Sequence, residues 1–534
     1  MNSWLAEGLP GDELSVQNGM LTMRAERFPL CIDPQMQAVK WIKSREGAQL
    51  EGKIKRQTDA DFLKQLELAI EYGLPFLIEN VGEYIDPVLD PVLKKSFYYA
   101  PNGAKMIKLG DSEVEWDDNF RLYMTTKLPN PHYDPDVTGK TIIINYSVTE
   151  LGLQEQLLNV TVKQERPDLE TEREKLVKET VANRALLKKL EDTLLYELST
   201  AQGEIVDNVE LIETLESAKT KSTEISEKLV AAARSAKELN KAQSCYSPVA
   251  KRGAILFFVI SALSNLNAMY EYSLSSFLDV FCNTLHVTPV RDQLDERLSD
   301  LVDRLTYDVY KFACLGLFKR DKLALSFQMT TRIEDGDGRL NGNLLRFFLK
   351  GNVTLDAASG DSQPLPWWSE RGWQDLMHLD EHIAANDNKC ATLNGIVDRI
   401  TSNADAWRAW YDCEKPESVA LPDGYSASLS SFERLCLLRC ARLDRVTVAV
   451  SNYITETMGS RYVTPPISDY ESIFKLSSAQ TPVVFILSPG ADPAFDIFAL
   501  GETMGFKAGG KLKFMALGQG MGPKAEELIL TCAS

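Results

Sequence analysis

A chain of 534 residues with 44% hydrophobic content is long enough for about three or four domains and carries ample material for a core, so it reads as soluble and globular. Its 58 basic and 76 acidic residues leave a net charge of −18, which disfavours nonspecific binding of nucleic acid or anionic membrane by the chain as a whole. The longest apolar run, Ala254 to Leu263, is too short to span a bilayer, and the opening MNSWLAEGLPGDE lacks the basic and apolar stretches of a signal peptide.

Residues 1 to 157 alternate strand-like and helix-like segments, the pattern of an α/β domain with a largely parallel sheet. Strands are predicted at Phe28 to Ile32, Pro75 to Glu79, Phe120 to Thr125 and Thr141 to Ser147, with a helix over 60 to 72. Runs that are apolar on both faces suit a sheet covered by helices on each side. The first strand runs through a proline turn into a helix marked by Ala38, Trp41 and Ile42, which is the setting of a phosphate-binding loop.

Residues 165 to 243 are rich in Glu, Lys, Leu and Ala. Pro167, then Asp168, Glu170 and Glu172, suit a helix start. A three-four spacing of Leu215, Ala218, Ser222, Ile225, Leu229, Ala232, Ala236 and Leu239 predicts a coiled-coil seam. Leu169, Leu176, Leu187, Leu190 and Leu194 form a stripe on the preceding arm, and Ser199 to Gly203 form a break. An antiparallel hairpin projecting from the globular part is expected, each arm about 50 Å long. From Val249 to about Lys350 the pattern is helical and apolar, Gly351 to Pro366 reads as a linker or surface loop, and 367 to 480 is again mostly helical with five tryptophans expected in the core. Val483 to Leu487 predicts another strand, Lys511 to Leu517 a second, and the chain ends before a full α/β domain could be built.

A phosphate loop works because glycine amides converge on the anion, a lysine neutralises it and a hydroxyl holds magnesium. In the first candidate loop Asp33, Gln35 and Gln37 stand among positions where that pattern would lie, neither glycine is present, and Val39 replaces the lysine. In the second, Ser488 opens the frame but Pro493 and Ala494 remove its end. The acidic partner site, Glu79-Asn80, has an amide where the water-polarising carboxylate belongs. Thr125 and Thr126 lie where a γ-phosphate sensor would sit. These residues are expected to be scaffold, with no catalytic residue, no cofactor and no metal.

Three weaker patterns read as structure. His378, Glu381 and His382 match H-x-x-E-H but lack a third ligand and are expected on a solvated helix face. Asp335 to Gly338 resembles the start of a calcium loop but has Arg339 at the next ligand position, so a surface turn is expected. Gly518, Gly520 and Gly522 are explained by tight turn geometry. Nine cysteines without a CxxC, Cys436 and Cys440 among apolar neighbours, read as reduced packed thiols, which makes the sequons at Asn145, Asn159 and Asn352 chance matches.

The strings RFPLCIDPQMQAVKWIK, PFLIENVGEYIDPVLDPVL, FRLYMTTKLPNPHY, GLQEQLLNVTVKQERPDLE, LFFVISALSNLNAMYEYSLSSF, VVFILSPGADP and LGQGMGP resemble a dynein heavy chain along essentially the whole length. AKRGAILFF, MYEYSLSSFLDVF and FFLKGNVTL look axonemal, of the inner-arm class. The resemblance implies an α/β plus α fold. Residues 1–157 would be the large subdomain of the fifth AAA+ (P-loop NTPase-like) module, and 158–350 its small helical subdomain with the strut at 165–243. Residues 365–534 would be the truncated start of the sixth module. It implies a non-catalytic ring segment that relays ATP-driven movement to the microtubule-binding stalk, with ATP and Mg acting elsewhere in the parent motor. Implied partners are neighbouring modules and the stalk, with microtubules and intermediate and light chains bound through other regions, in the cytoplasmic axoneme of cilia or flagella. The alternatives are a self-standing AAA+ ATPase and a coiled-coil interaction protein.

Overall fold

The computed structural model describes all residues except 1–3, 5–6, 102, 111, 129, 201–208, 352–364, 385–391, 465, 467–468, 478–481, 507–511, 519 and 534, and leaves out several side chains of the two long helices below. The N-terminal part holds eight strands: β1 (Phe28–Ile32), β2 (Ile54–Lys55), β3 (Pro75–Ile78), β4 (Tyr98–Tyr99), β5 (Lys105–Leu109), β6 (Ser112–Glu115), β7 (Arg121–Thr126) and β8 (Thr141–Asn145). Five form one sheet in the order β2-β3-β7-β1-β8, and every pairing in it is parallel, with Leu30 opposite Met124 on one side and Ile143 on the other.

Alternation along the strands sends successive residues to opposite faces. Leu30, Phe76, Ile78, Leu122 and Met124 meet Phe62, Leu66 and Ile70 of the helix Phe62–Glu71. On the other face Cys31, Leu77, Tyr123 and Ile144 meet Ala38, Trp41 and Ile42 of the helix Gln37–Glu46. All four predicted main strands form, the first with the expected bounds and the other three with ends shifted by one or two residues. The short β2 and the antiparallel sheet β4-β5-β6 are additions to the expected pattern. The latter carries charge on alternate positions, as in Ser112 to Glu115, and buries little besides Ile107, Leu109 and Val114.

The helix Glu150–Glu165 leads out of the sheet domain into the long helix Pro167–Thr200. The second long helix, Val209–Ser244, packs back against it and leads into Ser247–Ser261. At 34 and 36 residues the long helices each measure about 50 Å. The expected break at Ser199 to Gly203 lies partly outside the described residues. The run Ala254 to Leu263 lies within a longer segment, Ser247–Asn265, that is by length and composition apolar enough to cross a membrane. It is instead a core helix: Val249, Ala250, Leu256, Phe257 and Ile260 are buried against Leu153, Leu157, Phe277 and Phe281.

That helical core is continuous across the 352–364 stretch. Leu365, Trp368, Trp373, Trp407, Trp410 and Cys436 belong to the same buried cluster as Val249, Tyr310 and Phe347. The Tyr462 carbonyl accepts hydrogen bonds from Tyr310 (3.0 Å) and Ser326 (2.6 Å). Gly372 lets the helix Glu370–His378 lie directly on Ser431–Ala441: a Cβ there would stand 2.1 Å from the Cys440 carbonyl oxygen. Two expected strands do not form. Val483 to Leu487 is irregular, with Val484 81% exposed, and of the second segment the described residues 512–517 hold only a bridge residue at Leu512. A parallel strand exists only through its neighbours, and neither segment finds a partner strand among the described residues.

Candidate functional site

The order β2-β3-β7-β1-β8 places β1 where the chain's direction of sheet growth reverses: β7 flanks it on one side and β8 on the other. In open parallel sheets the crevice beyond the carboxyl ends of the strands at such a point is where ligands bind. The residues there are Asp33 to Met36 after β1, Glu79 and Asn80 after β3, and Thr125 and Thr126 at the end of β7. The sequence-predicted residues of the first candidate site are thus brought to one edge of the sheet.

Asp33 decides what that edge can do. Its backbone N–H donates to the Thr126 carbonyl (2.9 Å), tying the loop to β7. Its carboxylate turns back into the loop, Oδ1 accepting from the Gln37 amide (2.7 Å) and Oδ2 from the Val39 amide (2.9 Å). These are first-turn amides of the helix Gln37–Glu46, the donors that a phosphate would otherwise engage. Asp33 is buried, and burial raises its pKa; the amides of Val39, Gln37 and Ala38 and the charge of Lys40 pull the other way. Met36 takes the left-handed conformation (φ 58°) that a glycine would adopt freely. Gln35 points the other way, its Oε1 accepting from the Val148 amide (3.4 Å) just before the helix Glu150–Glu165, so the loop is tied to the helical part as well.

The acidic position is equally committed. Glu79 forms an ion pair with Lys43 (2.7 Å) on the helix that follows the loop, and Asn80 is left-handed (φ 56°). Thr125 donates to the Ile78 carbonyl (3.4 Å), and the Thr126 hydroxyl accepts from the Leu128 amide (3.2 Å). Behind the loop lies a buried polar layer. Glu46 accepts from the Tyr123 hydroxyl (2.7 Å) and from Arg121 (2.8 Å), and Thr22 and Tyr146 share a hydrogen bond of 2.7 Å. Burial raises the Cys31 thiol and the Tyr123 and Tyr146 phenols far above their usual ranges, so none of them ionises near neutrality. At this edge Asp33 takes the Gln37 and Val39 amides, Val39 stands at the lysine position and Asn80 at that of the polarising acid.

The second loop repeats the device in miniature. The Ala494 amide, at the start of the helix Ala494–Thr503, donates to Asp492 Oδ1 (2.9 Å), and the Ala491 amide to the Ser488 carbonyl (3.0 Å). Pro493 precedes the helix without an amide to offer.

The H-x-x-E-H segment does not lie on a solvated α-helical face. The chain passes from Glu370–His378 into a π-helical turn, Leu379–Ala384, which breaks the four-residue register. Leu379 and Asp380 are buried, Asp380 accepts from the amides of Gly395 (2.6 Å) and Val397 (3.0 Å), and His378 lies against Phe347. Glu381 is exposed, and the His382 side chain lies outside the described residues. Asp335 to Gly338 is a turn closing the helix Lys322–Gly336, with Gly338 at φ 72°. Gly520 is also left-handed (φ 78°) ahead of the helix Gly522–Ala533. Cys31, Cys314, Cys436 and Cys440 are buried and form no disulfide.

Comparison with known proteins gives a consistent set of matches. Residues 2–225 match a family model described as the ATP-binding dynein motor region, and residues 478–534 one described as the dynein heavy chain region D6 P-loop domain. The dynein-1-alpha heavy chain of the flagellar inner arm I1 complex of Chlamydomonas reinhardtii is 59% identical over 99% of this chain. Human dynein axonemal heavy chain 10 is 48% identical over all of it, and the Chlamydomonas dynein-1-beta heavy chain 40% over 99%. The chain spans 12% of the length of each of these relatives.

Proposed function

The chain belongs to the axonemal dynein heavy chains, and on that premise we propose that it is a non-catalytic segment of the motor ring which relays movement driven by ATP elsewhere in the heavy chain. The observation that carries this reading is the Asp33 carboxylate seated on the Gln37 and Val39 amides, at the one place in the sheet built to receive phosphate. With Asp33 in place, the loop keeps the packing of a nucleotide-binding module and needs no nucleotide to complete it.

In this reading residues 1–157 are the large subdomain of the fifth AAA+ module, 158–350 its small subdomain, and 365–534 the beginning of the sixth. The helices Pro167–Thr200 and Val209–Ser244 are an antiparallel coiled-coil strut that leans on the stalk. A packed helical pair is a discrete mechanical element, able to pass a small shift at its root to a distant site. ATP and Mg act in other modules of the heavy chain. The partners are the adjoining modules and the stalk directly, and microtubules and the intermediate and light chains through other regions. The setting is the axoneme of cilia or flagella, as the names of the relatives suggest.

The words "ATP-binding" in the matched family description favour a second reading, in which the first loop still takes nucleotide. Equilibrium titration with ATP, with and without magnesium, separates the two. The proposed reading expects no saturable binding at this loop, and a triphosphate seated against Val39 overturns it. Deleting 168–243 from the heavy chain tests the relay: ATPase activity is expected to persist while its coupling to microtubule affinity is lost. Loss of both would point to a purely structural role.

A further inference from the structure

We propose that the long helical pair is jointed to the helical core at a single level, with Arg166 and the Cys245–Tyr246 turn as its two hinge points and Arg297 fixing the inner side of the joint. The pair then swings as one body. The inference rests on the relay reading for its purpose only, since the joint itself is tested by distances that do not depend on motor activity.

The outgoing helix follows Glu150–Glu165 and the returning one leads into Ser247–Ser261, each across a short interruption: a non-helical residue at Arg166 and a turn at Cys245 and Tyr246 in which Tyr246 keeps helical dihedrals (φ −87°, ψ −1°). Glu150–Glu165 packs along Ser247–Ser261, closely enough that a Cβ on Gly253 would stand 2.8 Å from Leu157 Cδ1. The outgoing arm breaks at Arg166, whose φ of −140° and ψ of 71° are not helical, and Pro167 then denies the next turn an amide donor. The returning arm breaks at Cys245 and Tyr246, a turn followed by Pro248 in the first turn of the next helix. The two breaks face each other. Tyr246 is buried beside Glu165, Arg166 and Asp168, close enough for their charges to act on its phenol.

The two sides of this level are held very differently. On the inner side Arg297 is buried, and its guanidinium uses every face. Nε and Nη2 donate to the Glu165 carboxylate (3.2 and 2.6 Å), Nη1 to the Thr288 and Pro289 carbonyls (2.8 and 2.9 Å), and Nη2 to the Leu285 carbonyl (3.0 Å). The last residue of Glu150–Glu165 is thereby bound to the end of the helix Leu274–Val287 and to Leu294–Gly316, which carries Arg297. A planar, always-charged fork suits this fixed geometry, and lysine could not reproduce it. On the outer side Arg166 pairs, among the described residues, with Asp168, two residues away and exposed. Among the described side chains of the two long helices, Ile225 and Leu239 are the large apolar ones buried. A well-anchored root, two facing breaks and a lightly anchored outer pair make a joint.

The test is a set of label-to-label distance distributions in the intact heavy chain, with site-specific ketone-bearing residues carrying the labels so that native cysteines stay untouched. Lys163 with Ser299 reports the inner side, Lys188 with Ser299 the swing, and Lys188 with Lys221 the integrity of the pair; all four positions are exposed. The expected result is narrow, broad and narrow, in that order. A Lys188–Ser299 distribution as narrow as Lys163–Ser299 overturns the joint, and a broad Lys188–Lys221 distribution overturns movement as one body. Arg297→Gln is expected to broaden Lys163–Ser299 while leaving Lys188–Lys221 narrow, and Arg297→Lys is expected not to rescue it. An unchanged Lys163–Ser299 distribution in both variants removes Arg297 from the proposal.

Discussion

Replacing Asp33 by alanine tests the central structural claim, that the carboxylate substitutes for an anion the loop would otherwise hold. The substitution strands two backbone donors, the buried amide of Val39 and the half-buried amide of Gln37. Each buried donor left without an acceptor costs about 1–3 kcal/mol, and removal of a buried carboxylate returns part of that through relief of its desolvation. A net loss of about 2–4 kcal/mol in the stability of the sheet follows. Cys31 supplies a local reporter, because its thiol is fully buried on β1, two residues before Asp33. In the regime where opening is fast and reversible, labelling of Cys31 tracks the population of the opened sheet. A loss of that size should accelerate it by about 30-fold to 1,000-fold. Mass spectrometry of the peptide containing Cys31 reads this directly, and Asp33→Asn, which keeps one acceptor, should fall between wild type and alanine. Labelling of Asp33→Ala at the wild-type rate would refute the reasoning, since the amides would then have another partner.

Three further outcomes are expected. Because burial raises the folded-state pKa of Asp33 above its ordinary 3.8, its contribution to stability is fullest below that value and is lost as pH rises through the folded pKa. The gap in Tm between wild type and Asp33→Asn should therefore narrow as pH rises from about 4 towards 7, and a widening gap would contradict the assignment. Gly372→Ala should cost about 3 kcal/mol or more, because the added methyl meets the Cys440 carbonyl, a backbone atom unable to yield. Loss of the near-ultraviolet dichroism of the tryptophan cluster around Trp368 and Trp373 would report it. Met36→Gly relieves a left-handed residue at a cost in chain entropy, so a result between neutral and about 1 kcal/mol of stabilisation is expected from thermal unfolding.

The main sheet was legible because four of its strands are apolar on both faces, as strands between helical layers must be. β2 is only two residues long, and β4 to β6 alternate charge with a few buried side chains, so no apolar run marks them. The two long helices were legible from composition and spacing, including the proline at the first start. At Val483 to Leu487 hydrophobicity predicted a strand, but strand formation depends on a neighbour that local sequence does not supply. The role of Asp33 was readable in principle. An aspartate a few residues ahead of a helix is a common acceptor for first-turn amides, yet attention to the missing glycines and lysine presents Asp33 only as a vacancy in a pattern. The Arg297–Glu165 pair joins positions 132 apart, and no local signal announces it.

A diffusible ligand has a dissociation rate, a competitor and a dependence on supply; the Asp33 carboxylate has none of these, because a few bonds tether it to the amides it serves. Its effective concentration is set by chain geometry, and free phosphate would have to outcompete that permanently attached group. The loop built around it carries its own acceptor for these two amides, a keystone set in place at the moment of folding.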